Sequence, residues 1–220
     1  MVAKKRVHLL YEKTPTPAAE TKEGRKRLKA YRLALGSFID AFAKAEIAMH
    51  YVLRYYTKTE DIIARAVFSG VRTDVAADHL RRLAAAKLID PDEWKELEPI
   101  LAQLKLIGGR RNIILHYGAS DIAEGRGIAT DAIMAVTQGK AKSFPVSPDI
   151  LDDMTHDARK IFLHLVIRHA GRRTPRGRHP DLIEVLEAPW RYKSLPPNQS
   201  RPGPPGQPPA PPPPPESSPA

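Results

Sequence analysis

Apolar residues recur every three to four positions through most of the chain, the spacing that turns one face of an α-helix toward a core. From about Leu28 to Tyr56 they fall at Tyr31, Leu35, Phe38, Ile39, Phe42, Met49, Leu53 and Tyr56, which predicts one long amphipathic first helix. A shorter helical segment, EDIIARAVFSG, closes at Gly70, a residue suited to the left-handed turn that ends helices. Thr73 starts the next, TDVAADHLRRLAAAKLI, with Val75, Ala76, Leu80 and Leu83 on one face. Asp90-Pro91-Asp92-Glu93 is a helix start, because Asp90 can cap, Pro91 fits the first turn and Glu93 completes a capping box. That helix carries Trp94, Leu97, Ile100, Leu101, Leu104 and Ile107 inward; Pro99 should bend it, Gly108-Gly109 weaken it and Gly118 stop it. A last helix begins near Ser147-Pro148, presents Ile150, Leu151, Met154, Ala158, Ile161, Phe162 and Leu165, and ends near Gly171.

The helical period breaks between residues 128 and 146, around Gly127, Gly139 and Pro145, where AIMAV and KSFPV can pair as a hairpin about TQGK. The fold class is therefore all-α: a helical bundle with one long first helix, a small β-hairpin insertion near 128–146 and disordered termini. Residues 1–26 read as a flexible basic arm, 27–172 as the helical domain, and 173–220 as a Pro-rich, largely disordered tail of polyproline II character. Within that tail, DLIEVLEAPWRYKSL carries Leu182, Ile183, Val185, Leu186, Trp190 and Tyr192, and reads as a stretch that folds back over the core.

A net charge of +10 over 220 residues makes nucleic acid the first partner to consider. Part of the excess sits in the flanking runs AKKR, EGRKR and GRRTPRGR, which add non-specific attraction. The chain has no cysteine, which removes disulfides and thiolate metal sites and suits a cytoplasmic location. It has no apolar run near the 18 residues of a membrane span and no signal-peptide core at its basic start, so no membrane partner is expected.

The segment GGRRNIILHYG places permanent charge where burial is expected. On a wheel with Arg111 at zero, Leu104 falls at about 20°, Leu97 and Leu115 at about 40°, Ile107 at about 320° and Ile114 at about 300°, so Arg111 occupies the centre of the apolar stripe. Asn112, at about 100°, and His116, at about 140°, lie at its margin, one turn apart. An unpaired guanidinium there would cost several kcal/mol, so the fold should supply a carboxylate, a subunit interface or an anionic ligand. The first helix offers Glu46, four residues after Phe42 and three before Met49, with His50 one turn beyond. Two readings follow: a packed ion pair that fixes helix register, or an anion site that also uses Asn112 and His116.

Arg111-Asn112-Ile113-Ile114-Leu115-His116, within RRNIILHYG, resembles the signature of the HEPN domain family over roughly residues 28–170. Other arginine–spacer–histidine pairs occur, such as Arg72 to His79 and Arg159 to His164. Asn112, the HYG ending, the place on the stripe and the opposing Glu46 favour Arg111. The resemblance implies a helical bundle, a homodimer, and a metal-independent endoribonuclease of toxin-like or defence character, with room for a regulatory protein partner. Its reaction would be attack of a ribose 2′-hydroxyl on the adjacent phosphate of single-stranded or looped RNA. His116 would then move a proton, Arg111 clamp the phosphate and Asn112 support it. Glu46 would hold Arg111 or tune His116, and Tyr117 could stack on a base or pack internally. No metal or cofactor is expected, since His50, His79, His156, His164 and His169 lack zinc-site spacing with carboxylates. The rivals are a non-catalytic helical dimer that binds RNA, a nucleotide or a protein through the same cleft, and a helix-turn-helix DNA binder built on residues 60–89.

Overall fold

The computed structural model describes residues 17–125, 127–131, 143–169 and 180–193. A single turn, α1 (Pro17–Glu20), leads into α2 (Lys22–Thr57), whose start is capped by the Thr21 hydroxyl accepting from the Gly24 amide at 2.9 Å. This cap places the helix start at Lys22, ahead of the Leu28 expected from apolar spacing, so the run KEGRK read as arm belongs to α2. Strong helix formers with a good cap extend a helix past its core-facing stripe. At 36 residues α2 is about 54 Å long and is the element around which the others pack.

Its inward face alternates small and large side chains: Ala34, Phe38, Ala41, Phe42, Ala45, Ala48 and Met49 are all buried. The alanines let α6 (Pro148–His164) lie close along it, with Leu151, Met154, Ala158 and Ile161 fully buried between the two. The Ser147 hydroxyl caps α6 by accepting from the Ile150 amide at 3.2 Å, and the helix continues as a π-turn over Leu165–His169.

The short α3 (Asp61–Phe68) and α4 (Thr73–Ala85) follow α2. The left-handed Gly70 separates them, as its sequence position indicated. In α4 the buried face is Ala76, Ala77 and Leu80, whereas Val75, expected inward, is exposed. One turn later the left-handed Lys87 lets the Leu88 amide reach the Leu83 carbonyl, and the helix ends there.

The long α5 (Pro91–Tyr117) runs unbroken through Pro99 and both central glycines. Asp90 caps it through the Asp92 amide at 2.9 Å, and Gly118, at φ 72°, ends it. Leu97, Ile100, Leu101, Leu104, Ile107 and Ile114 are buried as the wheel requires. Leu115 departs from it at 47% exposed, because the stripe outruns the core in the last turn before Gly118.

A two-stranded antiparallel sheet, β1 (Ile128–Thr130) with β2 (Ser143–Pro145), pairs Ala129 with Phe144. The second strand lies within the expected KSFPV; the first is IAT rather than AIMAV, which with TQGK lies outside the described residues. At Gly127 a side chain would collide with the Val146 carbonyl, 2.2 Å from where a Cβ would stand, so only glycine lets the two segments meet.

The element α7 (Pro180–Glu187) and residues 188–193 return onto α6, as the apolar residues of that stretch suggested. Buried Asp157 anchors them, accepting from the amides of Arg191 (3.0 Å) and Tyr192 (2.9 Å) and from Gln103 Nε2 (2.8 Å). Lys160 Nζ donates to the Ala188 carbonyl and lies 4.4 Å from the Trp190 ring centroid. The expected arm up to residue 16 and the tail beyond residue 193 lie outside the described residues. Among those described, no helix is long and apolar enough to cross a membrane.

Candidate functional site

Three helices converge on Arg111: α5 carries it, α2 brings Glu46 and Phe42, and α4 begins beside them with Thr73. The apolar stripe of α5 is committed to the core through Ile107 and Ile114, on either side of Arg111, so the arginine must face the groove between α5 and α2. Its guanidinium carbon stands 5.4 Å from the Phe42 ring centroid, while Nη1 donates to Asn112 Oδ1 at 3.0 Å. Nη2 lies 3.8 Å from Glu46 Oε2, beyond hydrogen-bond reach. Glu46 is turned instead toward α4, where its Oε1 accepts from the Thr73 hydroxyl at 2.7 Å.

The ion pair named in the first of the two sequence readings is long and accessible. The side chains of Arg111 and Glu46 remain 29% and 32% exposed. A contact that long between groups that accessible contributes about 0–1 kcal/mol, far from the several kcal/mol at stake in a desolvated pair. Arg111 Nε, by contrast, is buried without a hydrogen-bond partner among the described residues. A fork of five N–H donors is thus held with much of its capacity unspent.

The space in front of it is a cleft of about 420 Å³, within the size range of small-ligand sites. Its rim is polar and of both signs: Arg72 with Asp74 (3.0 Å), Arg81 with Asp78, and Lys105. Gly108 and Gly109 form part of its floor. At Gly108 a Cβ would stand 3.1 Å from Phe42 Cζ, so the missing side chain lets α5 close on α2 directly behind the guanidinium.

Of the residues singled out in the sequence, Arg111, Asn112 and Glu46 are brought together in this cleft. His116 is exposed and follows Asn112 by four residues, one turn farther along the same face, and does not line the cleft. Tyr117 is also exposed, its ring centroid 6.2 Å from that of His116. His50 is half-buried and outside the cleft. Among the described residues, no hydrogen bond or ion pair joins His50 or His116 to Glu46 or Arg111, nor do three His, Asp or Glu side chains group as metal ligands would.

Thr73, Phe42, Lys105 and Gly109 were not anticipated as parts of the cleft. Thr73 carried a signal as the first residue of a helix, where hydroxyls collect, but nothing in local spacing pairs it with a side chain 27 positions earlier. No protein-family model, curated protein or solved structure matches the chain.

Proposed function

We propose that this chain is a HEPN-like protein whose Arg111 cleft takes a phosphate of single-stranded or looped RNA, and that as a homodimer it cleaves the RNA there without a metal ion. The observation that carries the reading is the guanidinium itself. It is stacked on Phe42, oriented by Asn112, makes no hydrogen bond at Nη2 among the described residues and faces a cleft rather than a carboxylate in bonding contact. Planar, bidentate recognition of phosphate oxygens is the chemistry such a fork performs best. The net charge of +10 supports a polyanionic partner.

RNA supplies its own nucleophile. The 2′-oxygen bonds to the adjacent phosphorus while its proton passes to an imidazole, and the bond from phosphorus to the 5′-oxygen of the next nucleotide breaks. That oxygen leaves with a proton, giving a 2′,3′-cyclic phosphate and a 5′-hydroxyl. Arg111 offsets the charge that grows on the phosphoryl oxygens, and Asn112 holds the guanidinium. His116, one turn from Asn112, takes the proton-transfer role. One imidazole per chain serves one of the two proton transfers, and a second copy would supply the other. Exposed Ile62, Ile63 and Val67 on α3 offer apolar surface for such pairing.

Purified wild type, Arg111→Met and His116→Ala are incubated with a mixed RNA pool in chelator, and product ends are mapped. Cyclic phosphate ends should come from wild type alone, with RNA binding lost in Arg111→Met and kept in His116→Ala. Undiminished cleavage by His116→Ala removes that residue's role. The second reading, a non-catalytic dimer that binds RNA through the same cleft, is favoured by one specific observation: no described group hydrogen-bonds the His116 ring to orient it. It predicts the same binding losses with no cleavage by any variant.

A further inference from the structure

Gly108 and Gly109 stand together in the middle of a 27-residue helix, where glycine is the least favourable residue apart from proline. Gly108 has a packing reason, the contact with Phe42. Gly109 has none, because a Cβ there would meet nothing within 4 Å. Its φ is not in the left-handed region, so no turn calls for it either. What distinguishes Gly109 is its place, since it is exposed and lines the Arg111 cleft.

The helix phase gives that place a direction. Lys105, Gly109, Asn112 and His116 follow one another at intervals of four, three and four residues, which sets them in one row along α5. The row is about 16 Å long at the helical rise, with a cation at one end, an imidazole at the other and a gap between where only backbone stands. Glycine on a helix surface without a steric need is the residue that allows a ligand to approach the backbone closely.

We propose that a single RNA strand runs along α5 directly over Gly109, with one phosphate at Arg111 and Asn112 and a neighbouring phosphate at Lys105, so that Gly109 decides what the cleft admits. This rests on the reading of the cleft as an RNA site. It adds a residue and a strand path that the arginine–histidine spacing does not contain. The path runs along the helix from Lys105 toward His116 and delivers the scissile phosphate to the end of the row that carries the imidazole.

The test exploits opposite effects on stability and binding. Gly109→Ala and Gly109→Gln both replace a poor helix former with a better one in open space, so each should raise Tm by about 2–4 °C. Affinity for a labelled twelve-residue oligouridylate should fall about threefold for the alanine variant and tenfold or more for the glutamine variant. Lys105→Ala should weaken binding and lower the slope of log K against log salt by roughly 0.7, the value of one phosphate contact on a single strand. Full affinity in Gly109→Gln, with binding lost in Arg111→Met, overturns the strand path and leaves the cleft reading standing. A fall in Tm for both Gly109 variants shows a packing need and also overturns it. Failure of the wild type to bind the oligouridylate at low salt overturns both.

Discussion

The anchor at Asp157 gives the sharpest test of how this fold is held, because it can be removed without touching the cleft. Its carboxylate is fully buried and serves three donors across 89 positions of chain: Gln103 Nε2 at 2.8 Å, the Arg191 amide at 3.0 Å and the Tyr192 amide at 2.9 Å. His156 Nδ1 stands at 3.4 Å. In Asp157→Ala all three donors lose their acceptor. Gln103 retains the Tyr192 carbonyl at 2.9 Å, and the Arg191 amide, in a residue that is itself exposed, can turn to water. The Tyr192 amide and the second Gln103 proton are left buried, at about 1–3 kcal/mol each. Relief of the carboxylate's own desolvation offsets part of this, so a net loss of about 3 kcal/mol is expected, a large share of the roughly 5–15 kcal/mol that holds a domain together. The loss also withdraws the charge that partly counters the effect of burial on Lys160, whose amine is already held below the usual lysine value. Urea unfolding followed by circular dichroism reads the global effect, and limited proteolysis reads release of residues 180–193. RNA affinity should not change, since Asp157 does not line the cleft. An unfolding midpoint and slope equal to those of wild type would show that the carboxylate does not anchor the returning chain.

Four further outcomes are expected. Arg111→Met should shift stability by less than about 1 kcal/mol, as suits a loose and accessible pair; a loss of 3 kcal/mol or more by calorimetry would restore the packed ion pair. Gly108→Ala should lower stability by about 1 kcal/mol, opposite in sign to Gly109→Ala, because Phe42 is tightly packed and must yield. His116→Ala should leave Tm unchanged within about 1 °C, since the side chain is exposed and without a hydrogen-bond partner among the described residues. Burial, followed by the Glu93 carboxylate that accepts its proton at 3.1 Å, raises the Tyr56 phenol well above its usual 10.0. A raised folded value contributes stability that is complete below pH 10 and is lost as pH climbs past it, so Tyr56→Phe should flatten that alkaline decline in thermal melts.

The helices and most of the core were legible from period alone, because burial on a helix is a one-dimensional pattern that survives without knowledge of partners. Where the reading slipped, a local rule gave way to tertiary context. The start of α2 moved to Lys22 because a cap and helix propensity act independently of the apolar stripe. Leu115 and Val75 hold stripe positions, yet the core ends before it reaches them. The cleft was half legible: Arg111 and Glu46 each stand where a leucine belongs, and that anomaly located both. Asp157 carries the same mark, three residues after Met154 and four before Ile161, and could have been found by the same rule. Its partners could not, since backbone amides of Arg191 and Tyr192 have no sequence signature.

These two misplaced acids differ in a way that bears on function. Asp157 is sealed and its hydrogen bonds are short, so its charge is consumed in holding chain to chain. Glu46 bonds Thr73 rather than Arg111 and stays a third exposed, which leaves the guanidinium with electrostatic support but without a bidentate partner. A structural anchor gains nothing from leaving donors unspent, since each buried N–H without a partner lowers stability. The accessible Nη2 of Arg111, which makes no hydrogen bond among the described residues, is the kind of donor an anion requires on arrival. Arg110 Nε is likewise buried without a hydrogen-bond partner among the described residues, but its guanidinium lies 4.5 Å from the Phe144 ring centroid and does not line the cleft; the contrast between a saturated acid on α6 and a cleft-lining, unsaturated base on α5 is therefore a physical reason to look for ligand at Arg111.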